Sequence, residues 1–465
     1  MDLLPLTAAH VTGATAGRLV RGQSSDPIGR IAIDSRTVQA GDFFVAIRGE
    51  RFDGHAFVGE AVERGAAGVM VQDATRVPSA AALVIEVDDT IRALQQVARD
   101  VRRRSGARVA AVTGSAGKTT TKEIAAEFLS SRYRVFRNEG NLNNHIGLPL
   151  SLLELRSRPD VAVVELGMNH PGEIRTLIGI AEPEVRVWTN VGDAHIGHFG
   201  SPEAIADAKA EITEQARRDD VLIANADDAR VMNRAGQFPG RVVTFGIDTD
   251  ADVRATGVKQ KGVEGTEATV ATRQGEIRIE TPLVGMGNLA NVLAATAVAL
   301  EFDVTLDELK ARAARLTPAR HRGELLRLPG GITLLDDSYN SSPAALKRAL
   351  EVVAGTTGSA RKVAVLGEML ELGSLSTALH RESGTAAAAA GLDLLIAVGG
   401  PAASELAAAA VNAGMPERAV SYASTSDEAA AMALQLVRPG DLVLVKGSRG
   451  IGTDVVVERL KEEFA

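Results

Sequence analysis

Short apolar runs alternate with amphipathic stretches through residues 108–246. The runs RVAAVTG, YRVF, VAVVEL, VRVWTN, DVLIAN and RVVTFG have strand length, and KEIAAEFLSS, which follows the first of them, has apolar residues at the i, i+3 and i+4 spacing of a helix. Strands that alternate with helices are typical of a largely parallel sheet. The pattern therefore predicts a central α/β domain.

The flanking regions carry related patterns. Strands such as RIAID and DFFVAI come before residue 104, and RSGAR at 104–108 is predicted to be a linker. Residues 251–281 alternate with the period of two that predicts antiparallel strands, and a helix is expected at 288–300. After about Pro318 a second α/β set begins, with the runs GITLLDD, KVAVLGE, LDLLIAVGG, AVSYAS and DLVLVKG.

The length sets the expected number of domains. A chain of 465 residues is longer than one hydrophobic core normally serves, and at ~150 residues per domain it suggests about three. We predict domains at 1–104, 105–316 and 317–465. The expected fold class is α/β throughout, with a small amino-terminal domain, a central domain built on a mostly parallel sheet, and a Rossmann-like carboxy-terminal domain.

Charge and residue usage exclude several classes of function. A formal net charge of −8 argues against a nucleic-acid-binding protein, whose binding face is normally basic. The one tight basic cluster, Arg102–Arg104, is interpreted as a solvated helix end or linker. The chain has no cysteine, which excludes disulfides, thiolate metal sites and thiol catalysis. No signal peptide or membrane span is predicted, so a cytoplasmic location is expected.

The stretch AVTGSAGKTTTKE at 111–123 is similar to a phosphate-binding loop with a shortened spacing. The usual pattern is G-x-x-x-x-G-K-[ST], but the outer glycine position holds Val112 and a glycine stands at Gly114 instead. A predicted strand precedes the loop and a predicted helix follows it, so loop N–H groups and the helix amino terminus would converge on phosphate oxygens. Lys118 would then reach the β- and γ-phosphates, and the Thr119 hydroxyl would complete a Mg²⁺ shell.

The remaining residues of this loop are also expected at the nucleotide: Ser115, Ala116, Gly117 and Thr120. A plain tight turn is the alternative. A GTPase should carry D-x-x-G and N-K-x-D downstream, but after Lys118 no Asp is followed three residues later by Gly, and no Asn is followed by Lys. The pattern therefore favours an enzyme that uses ATP.

Three further residues are candidates for catalysis. Glu165 lies near the carboxyl end of the apolar run VAVVEL, where the ligand crevice of an open α/β sheet lies and where a carboxylate suits Mg²⁺. A charged residue at an exposed strand end, with no metal, explains Glu165 equally well. His195 follows another strand end in a glycine-rich loop, although a lone histidine is more often structural. Lys209 lies in the helical pattern after that loop, and spacing alone does not distinguish it.

Two polar groups lie farther along the chain. Asn288 and Asn291 stand one turn apart on a predicted helix, where two amides can bind a base edge or can cap and solvate the helix. The segment LLDDSYNSSP at 334–343 ends a strand with two acids. An aspartate in that position commonly accepts a hydrogen bond from a ribose hydroxyl.

Taken together, these segments resemble the Mur ligases of bacterial cell-wall synthesis, whose phosphate loop has the short G-x-x-G-K-[ST] form. The likeness runs nearly from end to end. The segments that carry it are IDSRTVQAGDFFVAIRGERFDGHAF (33–57), NEGNLNNHIGLPLSLL (138–153), ELGMNHPGEI (165–174), DDSYNSSPAAL (336–346), VLGEMLELG (365–373) and VKGSRG (445–450). Several long motifs in one order make chance a negligible explanation.

The resemblance implies roles for particular residues. Lys118 and Thr119 would serve the ATP phosphates and Mg²⁺, and Glu165 and His195 would be ligands of two magnesium ions. Lys209 matches a lysine that is carbamylated in several relatives. The other contacts implied are Ser35 and Arg36 with the nucleotide sugar, Asn141 and Asn144 with the substrate, and Asn291, Arg322 and Asp337 with adenine, phosphate and ribose respectively.

The same resemblance implies an ATP-dependent amide ligase of peptidoglycan precursor synthesis, expected to be a monomer. The segments are most similar to those of the family member that joins D-alanyl-D-alanine to UDP-N-acetylmuramoyl-tripeptide through an acyl phosphate. A sibling that adds a different amino acid would carry a motif of DYAHTP type where this chain has DDSYNSSP. A folylpolyglutamate synthase-like ligase would lack the amino-terminal domain, and a non-catalytic nucleotide-binding module is the third alternative.

Two positions depart from the family pattern. Gly287 stands where many relatives have the histidine of G-x-H-N-x-x-N, so a ring contact there is lost or replaced. Glu368 stands where aspartate is common, and this change of one methylene is expected to have little effect.

Overall fold

A computed structural model describes residues 3–49, 52–193 and 196–464. The helices within these ranges are α1 (Ala8–Thr15), α2 (Val58–Glu63), α3 (Thr90–Ser105), α4 (Lys118–Leu129), α5 (Gly147–Leu152), α6 (Glu173–Ala181), α7 (Ile196–Phe199), α8 (Pro202–Ala210), α9 (Ala229–Ala235), α10 (Gly285–Glu301), α11 (Leu306–Ala313), α12 (Pro343–Gly355), α13 (Ser376–Ala389), α14 (Pro401–Asn412), α15 (Ser426–Leu436) and α16 (Asp454–Glu463). Within the same ranges, no helix combines the length and the apolar character that a membrane span requires.

The strands supply the frame on which these helices pack. They are β1 (Arg18–Arg21), β2 (Ile31–Ala32), β3 (Phe43–Val45), β4 (Gly68–Val71), β5 (Leu83–Glu86), β6 (Arg108–Thr113), β7 (Val135–Arg137), β8 (Val161–Glu165), β9 (Val185–Trp188), β10 (Val221–Asn225), β11 (Arg241–Gly246), β12 (Val253–Gln260), β13 (Thr266–Thr272), β14 (Gly275–Thr281), β15 (Glu324–Leu328), β16 (Ile332–Asp337), β17 (Lys362–Gly367), β18 (Leu394–Val398), β19 (Val420–Ala423) and β20 (Leu442–Lys446). The α/β fold class predicted from the sequence is confirmed.

Contacts within the chain group it into two compact units. The first comprises Met1–Ala111, Tyr133–Glu184 and Glu214–Arg217, and the second comprises Val112–Arg132, Val185–Thr213 and Arg218–Ala465. The residues of β6 are divided between the two. The three domains at 1–104, 105–316 and 317–465 stay a prediction.

The first unit contains two groups of strands. One sheet has the order β1-β5-β4-β3-β2, in which β5 to β2 pair in parallel and β1 pairs with β5 antiparallel. The other group has the order β6-β8-β7, with β7 and β8 parallel. The strands β3, β4 and β8 are buried along their whole length, as expected of parallel strands that are covered on both faces.

The second unit also contains two groups. The first has the order β14-β13-β12-β11-β10-β9-β6, parallel from β9 to β12 and antiparallel from β12 to β14, which confirms the antiparallel patch predicted at 251–281. The second is a sheet of order β15-β16-β20-β17-β18-β19, parallel except for the β15–β16 pair. A core cluster joins Val365 of β17 and Val445 of β20 to Ala430 of α15 and Val457 of α16.

Two predictions about residues 102–108 need correction. The segment 104–108 is not a linker, because α3 continues to Ser105 and β6 begins at Arg108. Of the basic cluster on this helix end, Arg103 is exposed as expected, but Arg102 is buried instead of solvated. Its guanidinium donates to a backbone carbonyl and forms a salt bridge with Glu184 at 2.7 Å, so the charge is satisfied inside the protein.

Candidate active site

The predicted phosphate loop lies between β6 and α4 in the second unit. Gly114 and Gly117 have φ angles of 150° and 82°, in the region that favours glycine. Space for a side chain is missing as well. A Cβ on Gly114 would lie 1.9 Å from the Thr189 Oγ1 atom, and a Cβ on Gly117 would lie 2.2 Å from the Asn291 Oδ1 atom. Both glycines of the short spacing are therefore required by the way the loop is folded.

The segment that follows β9 braces this loop. The Ser115 N–H donates to the Asn190 carbonyl at 3.0 Å, and the Ala116 N–H donates to the Asn190 Oδ1 atom at 2.9 Å. The Thr189 hydroxyl donates to the Ala116 carbonyl at 2.6 Å, and the Gly192 N–H donates to the Ser115 hydroxyl at 2.9 Å. These bonds brace the loop against the segment after β9, and they occupy the N–H groups of Ser115 and Ala116.

The helix after the loop supplies positive charge. Lys118 is the first residue of α4, and its half-buried side chain donates from Nζ to the Gly114 carbonyl at 2.9 Å. Thr119 and Thr120 follow in the first turn, as the sequence predicts. The amino-terminal end of a helix carries a partial positive charge. The ammonium group and the helix end together make the loop a favourable place for phosphate.

A cavity of about 200 Å³ adjoins the loop within the second unit. Ser115 and Ala116 contribute to its lining from the loop, and Asn291 contributes from α10. The Thr121 hydroxyl donates to the Asn291 Oδ1 atom at 3.2 Å, and the Asn291 amide donates to the Asn288 Oδ1 atom at 3.3 Å. The two amides predicted on one helix face are thus joined to each other, and Asn291 lies at the cavity.

The other two residues predicted to contact ATP, Arg322 and Asp337, are not part of this lining. The Arg322 guanidinium lies over the Tyr339 ring, 4.0 Å from its centroid. Asp337 ends β16 and accepts a hydrogen bond from the Lys446 Nζ atom at 2.6 Å, and Lys446 also donates to the Asn340 carbonyl. Arg322 and Asp337 are therefore each held by neighbours outside the lining, although Ser342, which closes the turn after β16, does contribute to it.

Glu165 is the last residue of β8, in the first unit, and its side chain is buried. Its N–H donates to the Asn138 Oδ1 atom at 2.9 Å, and its Oε1 atom accepts from the Asn143 amide at 2.8 Å. A Cβ on Gly167 would lie 2.8 Å from the Asn143 Oδ1 atom, so a glycine there leaves room for this amide. Sequence reasoning missed Asn138 and Asn143, although the asparagine-rich stretch NEGNLNN was a signal that could have found them.

The two asparagines predicted to contact the substrate lie in the same stretch. The Asn144 Oδ1 atom accepts from the N–H groups of Ile146 and Gly147, at 3.2 and 2.8 Å, in the turn that leads into α5. Asn141 is exposed. The Asn144 side chain therefore stabilises the turn before α5. The substrate contacts of Asn141 and Asn144 stay predictions.

The residues predicted to bind magnesium can be assessed by their chemistry. Within the described ranges, no group of three or more His, Cys, Asp or Glu residues is arranged to hold a metal ion. His195 lies outside the described residues. Mg²⁺ in phosphate-transfer sites usually takes one or two carboxylates besides phosphate oxygens. The Thr119 hydroxyl and the Glu165 carboxylate are oxygen donors of the type that this ion prefers, so the donors present fit it.

Lys209 lies near the end of α8 and is 2% exposed. Burial penalises an ammonium group, so a lysine this deep needs compensating contacts or a change in its chemistry. Carbamylation would replace the cation with an anion that can bind metal. The burial of Lys209 suits that hypothesis and does not test it.

Ser35 and Arg36 form a short 3-10 turn, Ser35–Thr37, in the first unit. Ser35 is buried and its hydroxyl donates to the Glu60 Oε2 atom at 3.0 Å. Arg36 is exposed and pairs with Asp34 at 2.6 Å; the hydrogen bond from Arg36 lowers the pKa of the Asp34 carboxyl. An exposed ion pair of this kind contributes little free energy. The nucleotide-sugar contacts of Ser35 and Arg36 stay predictions.

The chain is similar to known proteins along nearly its whole length. It matches the Mur ligase family, catalytic domain at residues 27–102, the Mur ligase middle domain at 112–299, and the Mur ligase, glutamate ligase domain at 321–449. A UDP-N-acetylmuramoyl-tripeptide–D-alanyl-D-alanine ligase of Bacillus subtilis (strain 168) is 35% identical to it over 465 residues, 99% of each chain.

Two solved structures extend this likeness to the fold. MurF from Acinetobacter baumannii is 33% identical with a TM-score of 0.89, over 99% of this chain and 100% of that one. The MurF ligase from Thermotoga maritima, solved in complex with ADP, is 30% identical with a TM-score of 0.83, over 94% of this chain and 97% of that one.

Proposed function

The chain belongs to the Mur ligase family, and we propose that it uses ATP to join D-alanyl-D-alanine to UDP-N-acetylmuramoyl-tripeptide. The products are UDP-N-acetylmuramoyl-pentapeptide, ADP and phosphate, in the synthesis of peptidoglycan precursors. The observation that carries this proposal is the intact, braced phosphate loop with Lys118 at the start of α4. It occurs in a chain that matches a UDP-N-acetylmuramoyl-tripeptide–D-alanyl-D-alanine ligase over 99% of both lengths.

The reaction proceeds in two steps. A carboxylate oxygen of the tripeptide attacks the γ-phosphorus of ATP, and the bond from that phosphorus to the β,γ-bridging oxygen breaks. ADP departs, and the tripeptide now carries an acyl phosphate. The amine nitrogen of D-alanyl-D-alanine then bonds to the acyl carbon. The tetrahedral intermediate loses a proton from nitrogen and expels phosphate, which leaves the new amide bond.

The residues of the loop act mainly by position and charge. The carboxylate and the γ-phosphate are both anionic, so the first step requires cations between and beside them. Lys118 and the amino terminus of α4 supply positive charge on the phosphate side, and the hydrogen bonds to Asn190 hold the loop in place beside them. Gly114, Ser115, Ala116, Gly117 and Thr120 complete this cradle.

Magnesium is assigned to the residues predicted from the sequence. Thr119, Glu165 and His195 would hold it, in two sites. When bound, the ion neutralises charge on the phosphates and the carboxylate. Asn143 orients the Glu165 carboxylate for this task, and a carbamate on Lys209 would add a further anionic group on the metal side.

The substrates are assigned to three regions that follow the predicted domains. The first, 1–104, would bind the uridine diphosphate sugar through Ser35 and Arg36. The second, 105–316, would bind ATP, with Asn291 at the adenine and Asn141 and Asn144 toward the peptide. The third, 317–465, would contribute Arg322 and Asp337 to phosphate and ribose. We expect a monomer in the cytoplasm with no nucleic-acid or membrane partner.

The test is phosphate release from ATP by the purified chain with Mg²⁺, UDP-muramoyl-tripeptide and D-alanyl-D-alanine, each omitted in turn. Release that requires all of them, with a pentapeptide product by mass spectrometry, supports the proposal. Release that ignores D-alanyl-D-alanine and responds to another amine assigns the chain to a sibling ligase. Measurable ATP binding with no release under any combination favours a non-catalytic nucleotide-binding module.

A further inference from the structure

Gly287 and Arg348 meet in the wall of the nucleotide cavity. Gly287 lies in the first turn of α10, Arg348 lies on α12, and both contribute to the cavity lining. A Cβ built on Gly287 would lie 3.1 Å from the Nη1 atom and 3.3 Å from the Cδ atom of Arg348. The arginine side chain therefore occupies the space into which a side chain at position 287 would project.

Arg348 has few partners of its own. Among the residues that the structure describes, it makes one hydrogen bond, from Nε to the Ala344 carbonyl at 3.3 Å, and no salt bridge. Burial lowers the pKa of its guanidinium, and the charge of Glu351 acts in the opposite direction. An arginine remains charged across the physiological range. A half-buried cation without a salt bridge gains free energy from a ligand that offers negative charge or a π face.

The position of Arg348 along the cavity decides whether it would face the phosphates or the base of a bound nucleotide. The Asn291 amide lies against Gly117, so it marks the end of the cavity at the phosphate loop. Gly287 lies one helical turn before Asn291, about 6 Å along the axis of α10. Arg348 packs at that more distant turn. A nucleotide whose phosphates occupy the loop would extend its base toward it.

We propose that Arg348 forms one wall of the adenine site and stacks its guanidinium on the base, in the space that Gly287 leaves open. The inference rests on the proposed use of ATP. A guanidinium is flat and weakly hydrated, so it can cover a purine face as an aromatic ring does. The arginine would thus select for a base of large π surface without contacting the phosphates.

The test compares ATP with inorganic tripolyphosphate, which lacks the base, by calorimetric titration of the full chain. We expect Arg348→Ala to raise the Kd for ATP about three- to thirty-fold. It should change the Kd for tripolyphosphate by less than about twofold. Arg348→Lys should bind ATP more like the alanine variant, because a compact ammonium lacks the flat face. Lys347→Ala is the matched control, since it removes an exposed cation from the same helix.

Each outcome is decisive for this inference. An equal loss of affinity for ATP and tripolyphosphate would place Arg348 at the phosphates and overturn it, as would unchanged ATP affinity in Arg348→Ala. If Arg348→Ala does not fold, judged by its thermal unfolding, Arg348→Lys carries the comparison. Failure of the proposed function is separate: it would appear as ATP binding without phosphate release in the unsubstituted chain, whatever the titrations give.

Discussion

The two ends of the nucleotide cavity are built in different ways. At the phosphate loop, a Cβ on Gly114 or Gly117 would collide with side-chain oxygens at 1.9 and 2.2 Å, and those oxygens are themselves held by hydrogen bonds. At the other end, a Cβ on Gly287 would lie 3.1 Å from the tip of a flexible arginine. The loop end is therefore specified by glycines of positive φ that pack against fixed side chains, so added volume there is costly. The far end is specified by side chains that can be exchanged.

The largest effect is expected where the loop end loses its charge. Lys118→Ala should lower the rate of ligation by about a hundred- to a thousand-fold, because a preorganised cation at the transferring phosphate is removed. Steady-state phosphate release measures this loss. Binding of the sugar nucleotide, followed by titration, should stay unchanged because Ser35 and Arg36 belong to a separate region. Near-normal turnover of the variant would show that the loop has been assigned the wrong role.

A smaller but still large loss of ATP affinity is expected when a methyl group is added at the loop end of the cavity. Gly117→Ala should weaken ATP binding at least about tenfold, because a left-handed alanine costs about 1–2 kcal/mol and its Cβ would also meet the Asn291 amide. Gly236→Ala is the matched control, since a Cβ there meets nothing within 4 Å and the backbone is right-handed helical. If both variants bind ATP alike, the loop is less rigid than its contacts indicate.

Glu165 offers an intermediate case, because a side-chain amide positions it. Asn143→Ala should raise the Mg²⁺ concentration needed for half-maximal ligation by about tenfold, with less change in the KM for ATP. A magnesium titration of phosphate release measures this. Asn233→Ala, which removes an exposed amide from α9, is the control. A loss of the same size in both variants would mean that the Asn143 contact does not matter to the metal.

The contrast between the two ends also explains how far the sequence could predict the site. The loop could be recognised because its residues are contiguous and lie between a predicted strand and a predicted helix. The residues that brace it, Thr189 and Asn190, could not be assigned to it. An alternation of strands and helices predicts a parallel sheet, but it does not say which strand lies next to β6.

Contacts between distant side chains were still harder to foresee. The sequence indicated that a ring was missing at Gly287, but not that Arg348 fills the space, because the packing of α12 near α10 leaves no local pattern. The sequence does not distinguish Asn143 from Asn141 and Asn144 for the same reason, since only the fold shows which amide of the stretch reaches Glu165. His195 lies outside the described residues, so its assignment stays a prediction.

The smallest effect is expected from the same added methyl group at the far end. Gly287→Ala should weaken ATP binding by less than about threefold. Its Cβ meets only the flexible side chain of Arg348, and alanine is better than glycine within a helix by about 1 kcal/mol. Calorimetric titration with ATP and thermal unfolding measure the two contributions, and the unfolding temperature should not fall. Gly13→Ala, an open helical position in α1, reports the gain in helix stability alone. A loss of ATP affinity as large as that of Gly117→Ala would mean that both ends of the cavity are equally rigid.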